Sequence, residues 1–183
     1  MKDIKNKWKW SEKKEIPYFD NNFIKIFIFF LLECPIKGIS KRNKTFEECK
    51  INQSSFVSKL KKEIPYLKNN WETFDAKKSS DFLAQKDVLK DITFSHCFAY
   101  HSNYQKNELN SKEPVRTKLK GFFYCIRCAF AHGDFNIRTY NGKKYYQFQN
   151  SEEKSDLEVI KGRIIMDEES LLKIIGLFKN HTS

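Results

Sequence analysis

The stretch FFYCIRCAFAHGDFN, residues 122–136, contains the point where the sequence changes from a helical to a β-prone pattern. Upstream of it, Asn110 or Ser111 offers an N-cap, and Pro114 falls in the first turn, where a helix tolerates proline. Gly133 supplies the left-handed residue that commonly follows a helix. These signals predict one helix of about five turns that ends just before this glycine.

The segment that follows, FNIRTYNGKKYYQFQN, residues 135–150, predicts a β-hairpin. Its two β-prone runs flank Asn141-Gly142, which is the strongest short signal for a two-residue hairpin turn. The later run LEVIKGRIIM predicts a third strand that is broken at Gly162. A small sheet over residues 135–166 is therefore expected.

Two further helices are predicted on either side of these strands. The segment SSDFLAQKDVLKDITFSHCFAYHSNYQKNEL, residues 79–109, carries a broad apolar stripe after a potential cap at Ser80, and this pattern is typical of a long helix. At the other end of the chain, DEESLLKIIGLFKN predicts a closing helix over residues 167–180, capped by Asp167 and with two glutamates in its first turn.

The N-terminal half adds shorter helical patterns. Residues 21–33 predict a helix that Pro35 stops, and residues 44–64 carry a polar-interrupted helical pattern that ends at Pro65. Residues 1–20 mix Lys with two Trp and predict a peripheral N-terminal arm.

Together the elements predict a single domain over residues 1–183 with a mainly α fold. A helical bundle over residues 21–132 is expected, with a small β-hairpin or three-stranded sheet inserted before the C-terminal helix. The apolar share of 40% and the aromatic share of 15% are enough to build a core, which excludes a wholly disordered chain.

The charge balance favours polyanionic partners. The chain has 34 Lys and Arg against 23 Asp and Glu, a formal net charge of +11, which concentrates polyanions around the molecule. RNA, DNA or an acidic protein are the partners that such a charge predicts. An AT-rich gene, which enriches Lys and Asn, also explains the excess of basic residues. The net charge alone therefore does not distinguish polyanion binding from gene composition.

The apolar run FIKIFIFFLLECP, residues 23–35, is the one stretch that resembles a targeting segment. It is about half the length of a spanning helix and is interrupted by Lys25, so it predicts a buried core helix and no membrane partner. Five cysteines without a regular framework suit a reducing compartment, and a cytoplasmic location is expected.

Arg127 and His132 are the candidate catalytic residues. They are about 140° apart on an ideal helix, and a helix that ends at His132 is expected to free the imidazole to approach Arg127. A neutral imidazole can take the proton of a ribose 2′-hydroxyl, and a guanidinium can bind two phosphoryl oxygens and stabilise the charge that develops on them. This chemistry needs no metal or other cofactor. The alternative is that Arg127 pairs with an acidic surface residue and that His132 only interacts favourably with the helix C-terminus.

The motif IRCAFAHG resembles the signature of the HEPN superfamily, in which an Arg is followed after four to six residues by a His and then commonly a Gly. The resemblance covers residues 112–140 closely and the order of elements over residues 70–180 loosely. It implies a HEPN-like helical bundle and a metal-independent ribonuclease of toxin or anti-phage systems. It also implies a homodimeric site with Arg127 and His132 from each subunit, and an antitoxin or regulator protein as a partner.

One position departs from this signature. The residue after the arginine is usually polar, often Asn or Asp, and here it is Cys128. The alternative to an active nuclease is therefore a catalytically inactive HEPN module that binds RNA or another protein.

Two other groups of residues offer competing chemistry. Cys125, Cys128 and His132 share a helix face and would need His96 or His101 to complete a zinc site, whereas a seam of small core residues explains them more simply.

The predicted hairpin is the second group. It interleaves Arg138, Lys143 and Lys144 with aromatic residues, which suits binding to the backbone and bases of RNA. A hairpin that packs its aromatics on one face and leaves its lysines in solvent is the alternative.

Overall fold

A computed structural model describes residues 19–35, 44–50, 54–64, 71–76, 96–102, 118–154 and 157–182. In this part of the chain the helices are α1 (Asn21–Ile28), which continues as a π-helical turn (Phe29–Glu33), α2 (Ser54–Glu63), α3 (Lys118–His132) and α4 (Glu168–Thr182). The strands are β1 (Trp71–Ala76), β2 (His96–Ser102), β3 (Phe135–Tyr140), β4 (Lys143–Lys154) and β5 (Leu157–Asp167).

The strands form one sheet in the order β1-β2-β5-β4-β3. Its centre is the antiparallel set β3, β4 and β5, and β2 pairs antiparallel with the free edge of β5. β1 adds a parallel outer strand. The fold is therefore mixed, and the prediction of a mainly α, HEPN-like helical bundle with a small sheet inserted before the last helix is wrong.

The error lies in the segment from residue 79 to residue 109. His96–Ser102 is a strand and not the middle of a long helix, while residues 79–95 and 103–109 of that prediction lie outside the described residues. The strand sequence HCFAYHS is rich in aromatic residues, which suit a pleated sheet as well as a helix. The segment is a strand because it pairs with β5, which lies about 65 residues further along the chain.

The predicted hairpin after α3 is confirmed. Asn141 and Gly142 both have positive φ values, 49° and 71°, as the mirror-image turn of a two-residue hairpin requires. β5 runs through Gly162 without a break, contrary to the prediction of a broken strand. The register of the β4–β5 pair shifts at this point, because Asn150 pairs with Gly162 and the next residue, Ser151, pairs with Ile160, which leaves the extra residue on β5.

The predicted helix over residues 21–33 is confirmed as α1 and its π-helical turn. Asp20 caps it, because its side chain accepts a hydrogen bond of 2.9 Å from the Phe23 N–H. Cys34 takes an extended conformation, as a residue before proline must, and the helix ends there. No helix in the described ranges is long and apolar enough to cross a bilayer.

The core lies between the helices and one face of the sheet. The π-helical turn, α3 and α4 pack their aromatic side chains edge to face, as in the pair Phe29 and Phe178, whose ring centroids are 5.0 Å apart. Strands β3, β4 and β5 contribute alternate residues to this core: Ile137, Tyr146, Phe148, Ile164 and Met166. Burying one such side chain stabilises the fold by about 1.5 to 3 kcal/mol.

The closing helix also begins as the sequence indicates. The Ser170 N–H donates to Asp167 Oδ1 at 2.9 Å, and Glu168 and Glu169 occupy the first turn. The predicted N-terminal arm lies outside the described residues except for Phe19 and Asp20, and so does the predicted start of the α3 helix at Asn110 or Ser111.

Candidate functional site

α3 places the two candidate catalytic residues at the boundary between the core and the surface. Its inner side is fully buried at Phe122, Ile126 and Ala129, and the helix packs against the sheet and the π-helical turn. Arg127 lies on the opposite side and is half-buried. The helix is thus held firmly by its apolar side, and the candidate residues lie on a fixed element.

Arg127 has no hydrogen bond or ion pair with another residue of the described ranges. Its Nε is buried and has no hydrogen-bond partner, and no described carboxylate lies within ion-pair distance of the side chain. The alternative in which Arg127 pairs with an acidic surface residue finds no support in the described ranges. A buried donor without a partner costs about 1 to 3 kcal/mol, so an anion that bound this group would recover part of that cost.

The charge of Arg127 acts on the thiol of Cys34, at the end of the π-helical turn. Burial raises the pKa of Cys34 to about 12, and the positive charge of Arg127 works against this rise. The thiol donates a 2.8 Å hydrogen bond to the Phe30 carbonyl. Cys34 is therefore protonated at neutral pH and does not neutralise the arginine.

His132 is the last residue of α3, and the predicted stop after it is confirmed. Gly133 has a φ of 72°, and the Asp134 N–H donates to the Ala129 carbonyl at 2.8 Å, the bond that closes a Schellman motif. The side chain of His132 is exposed and has no hydrogen-bond partner among the described residues.

The helical geometry separates the two candidates. Arg127 and His132 are five positions apart on α3, which corresponds to about 140° around the axis and about 7.5 Å along it. Because the helix includes His132, the imidazole keeps this offset, and no hydrogen bond joins the two side chains. A single chain presents them to different sides of the helix end.

The position after the arginine offers no polar group to a substrate. Cys128 is only 5% exposed and packs in the interior. Cys125 is buried beside it, and burial raises the pKa of that thiol far above its ordinary range. Both thiols are buried in the interior, as the core seam of small residues predicts.

No group of metal-ligating side chains occurs among the described residues, and the side chains of His96 and His101 are not among them.

The three hairpin cations have different surroundings. Lys143 is exposed next to the turn, and Arg138 is half-buried on β3. Lys144 is held by two carboxylates: it forms an ion pair and hydrogen bond with Asp20, and its Nζ lies 3.9 Å from Glu168 Oε2. RNA binding by Arg138, Lys143 and Lys144 stays a prediction, but an RNA phosphate at Lys144 would compete with both acids.

The acid-base cluster around Lys144 was missed in the sequence. Tyr146 donates its hydroxyl to Glu168 at 2.9 Å, and the Asn22 amide donates to the other oxygen of that carboxylate at 3.0 Å. The hydrogen bond from Lys144 lowers the pKa of Asp20, with a smaller contribution from the Phe23 N–H. Of this cluster only Asp20 has a sequence signal, because an Asp directly before an apolar helical run is typical of an N-cap.

The chain matches no protein-family model, no curated protein sequence and no solved structure. The HEPN resemblance therefore rests on the sequence around Arg127 and His132 alone.

Proposed function

We propose that this chain is a metal-independent endoribonuclease in which Arg127 binds the scissile phosphate and His132 transfers protons. The observation that carries the proposal is the half-buried guanidinium of Arg127, which has no anionic partner in the described ranges and whose Nε is buried without a hydrogen bond. A phosphodiester supplies the negative charge and the acceptor oxygens that this side chain lacks.

The chemistry follows from the two side chains. Neutral His132 takes the proton of a ribose 2′-hydroxyl, and the resulting oxyanion attacks the adjacent phosphorus. Arg127 stabilises the charge on the non-bridging oxygens while the bond from phosphorus to the 5′-oxygen breaks. A protonated imidazole gives its proton to that oxygen. The products carry a 2′,3′-cyclic phosphate and a 5′-hydroxyl, and DNA is not cut because it lacks the nucleophile.

A homodimer belongs to this proposal. The motif of one chain offers one imidazole, that of His132, and the 140° offset keeps it away from the arginine of the same helix. Two chains supply one imidazole as the base and another as the acid, with an arginine from either subunit at the phosphate.

The cellular setting of the proposal comes from the resemblance of RCAFAHG to HEPN proteins. It comprises a toxin or anti-phage role in the cytoplasm, with an antitoxin or regulator protein that controls the nuclease. The net charge of +11 supports binding to RNA.

The test is incubation of structured and unstructured RNA with the wild-type protein, Arg127→Ala and His132→Ala, in excess chelator, followed by analysis of the product ends. Cleavage by the wild type alone, with cyclic-phosphate ends, is the expected result. Products with 5′-phosphates, or equal cleavage by all three proteins, would contradict the proposal.

A second candidate is a catalytically inactive module that binds RNA or a protein. The buried Cys128 favours it, because the position that is usually polar in the HEPN signature contributes nothing to the surface. This candidate predicts that the protein shifts RNA in a gel and leaves it intact at every protein concentration.

A further inference from the structure

Five phenylalanine rings form a continuous aromatic cluster at the C-terminal end of α3. They belong to Phe19, Phe23, Phe27, Phe130 and Phe135. The rings of Phe27, Phe23 and Phe135 lie one after another, with centroid separations of 5.6 and 5.9 Å and an interplanar angle of 27° at each step. The Phe19 ring lies against the middle ring, Phe23, with the two centroids 4.5 Å apart.

Part of this aromatic cluster reaches the surface. Phe23 and Phe130 are buried, whereas Phe27 and Phe135 are half-buried and Phe19 is 56% exposed. Among the described residues, Phe19 is the large hydrophobic side chain with the highest exposed fraction. Its ring has a buried ring behind it, so it presents an aromatic surface that the core holds in place.

The aromatic cluster brackets His132 in the chain. Phe130 lies two residues before this histidine and Phe135 lies three residues after it, and the centroids of their rings are 5.0 Å apart. The Schellman bond at Gly133 fixes the turn between them. The turn that carries His132 therefore starts and ends at rings of the cluster, and Phe19 joins them through its contact with Phe23.

We infer that Phe19 and Phe135 stack on the bases of single-stranded RNA whose phosphate is held at the site of Arg127 and His132. This role rests on the proposed function, because it is the phosphate site that brings RNA to the end of α3. An unpaired base exposes its π-face to an aromatic side chain. In a duplex the bases stack on one another, so the cluster discriminates in favour of unpaired RNA.

Two features of the chain favour a nucleobase as the occupant of this surface. The cluster presents aromatic rings, which suit a planar aromatic group, and it adjoins the histidine that the proposed function places at a phosphodiester. The net charge of +11 also attracts a polyanion to the chain, whereas an uncharged apolar ligand has no such attraction.

Phe19 has a structural role as well, and the test must separate the two roles. It directly precedes Asp20, the cap of α1, and its contact with Phe23 fixes the entry of the chain into the helix, as a hydrophobic staple does. A staple needs only an apolar contact, which leucine supplies, whereas stacking needs an aromatic ring. Phe19→Leu therefore keeps the first role and loses the second, and Phe19→Trp keeps both.

Binding to a 2′-O-methyl RNA oligonucleotide tests the stacking without cleavage, because this RNA lacks the nucleophilic hydroxyl. Fluorescence anisotropy measures the affinity of the full chain for the labelled oligonucleotide as a single strand and as a duplex. Phe19→Leu and Phe135→Leu should each bind the single strand about 5- to 100-fold more weakly than the wild type and the duplex equally well.

Two further variants serve as controls. Phe19→Trp should bind the single strand like the wild type, and RNA should quench its fluorescence more than that of the wild type. Leu32→Ala removes an exposed apolar side chain outside the aromatic cluster, so it should leave both affinities unchanged. Circular dichroism and a thermal scan establish that each variant is folded.

Three results would overturn the stacking role. The first is equal single-strand binding by the wild type and both folded leucine variants, which would leave Phe19 as a staple alone. The second is an equal loss of affinity for the single strand and the duplex. The third is a wild type that binds no single strand. Cleavage of unmodified RNA is measured separately: intact RNA would count against the nuclease, while the ratio of single-strand to duplex affinity still decides the stacking.

Discussion

Lys144 and Arg127 are two cations near the surface of one small domain, and their surroundings differ. Lys144 contacts Asp20 and Glu168, which in turn accept hydrogen bonds from Phe23, Asn22 and Tyr146. Arg127 has a buried Nε without a partner and no described carboxylate nearby. The first cation ties the hairpin to the starts of α1 and α4, and the second makes no such contact with the described residues.

This difference gives a way to distinguish charged side chains that stabilise the fold from those that could bind a ligand. A side chain whose hydrogen bonds are satisfied within the fold contributes stability, and its loss should unfold the protein earlier. A side chain that the fold leaves unsatisfied costs stability, so its loss should affect activity and leave stability unchanged or higher. The predictions below use this contrast.

The largest expected effect belongs to the end of α3. His132→Ala should lower the rate of RNA cleavage by about 10²- to 10⁴-fold, because it removes the group that transfers protons. Its melting temperature should stay near that of the wild type, since the side chain is exposed. Single-turnover cleavage of a labelled RNA and a thermal scan measure the two quantities. A large drop in melting temperature would assign His132 a structural role instead.

The cap at the start of α1 should show the opposite behaviour. Asp20→Ala removes the hydrogen bond to the Phe23 N–H and the partner of Lys144, and the free energy of unfolding should fall by about 1 to 2 kcal/mol. Asp20→Asn is the matched control, because it keeps a capping oxygen and loses only the charge, so its loss should be smaller. Urea unfolding measures both, and equal losses would mean that the charge and not the cap matters.

The same carboxyl gives a pH dependence. The pKa of Asp20 is lowered in the folded chain, so its contribution is present above its ordinary pKa of 3.8 and is lost as the pH falls through the folded value. The decline in stability below pH 4 should be shallower in Asp20→Asn than in the wild type.

The glycine after His132 should have a moderate effect on stability. Gly133→Ala puts a side chain at a φ of 72°, and since a Cβ there meets no atom within 4 Å, the cost is backbone strain of about 1 to 2 kcal/mol. Gly133→Asn tolerates this conformation better and should cost less. Equal urea midpoints for the two variants would contradict this explanation.

The last effect should appear only at alkaline pH. Burial raises the pKa of Cys34 to about 12 from 9.0, so the folded chain holds this proton more tightly than the unfolded chain. The contribution of the thiol to stability is therefore full below pH 9 and is lost as the pH rises towards 12. Cys34→Ala should show a shallower decline over that range, measured by urea unfolding at a series of pH values.

The local features of the fold could be predicted from the sequence, and the long-range ones could not. Gly133, Asn141-Gly142 and Asp167 act on their own neighbours, so their residue types indicate a helix stop, a hairpin turn and a cap. Strand β2 depends on the edge of β5, which is distant in sequence. Its aromatic residues satisfy either period, and the apolar pattern alone favours the wrong element.

The candidate site shows the same division. The 140° angle between Arg127 and His132 follows from ideal helical geometry, but the prediction that the helix end frees the imidazole to approach Arg127 is wrong, because His132 belongs to the helix. The ion pair between Lys144 and Asp20 could not be predicted from the sequence, because the two residues are 124 positions apart in the chain. A list of basic residues in a hairpin therefore overstates the charge that is available to RNA.

Cleavage of RNA by Arg127→Ala beside Lys144→Ala, in excess chelator and at equal folded concentration, tests the central claim most directly. The account predicts that Arg127→Ala loses cleavage and stays folded, while Lys144→Ala cleaves like the wild type and melts at a lower temperature. Full cleavage by Arg127→Ala, with activity lost in Lys144→Ala, would contradict the account and move the phosphate-binding cation to the hairpin.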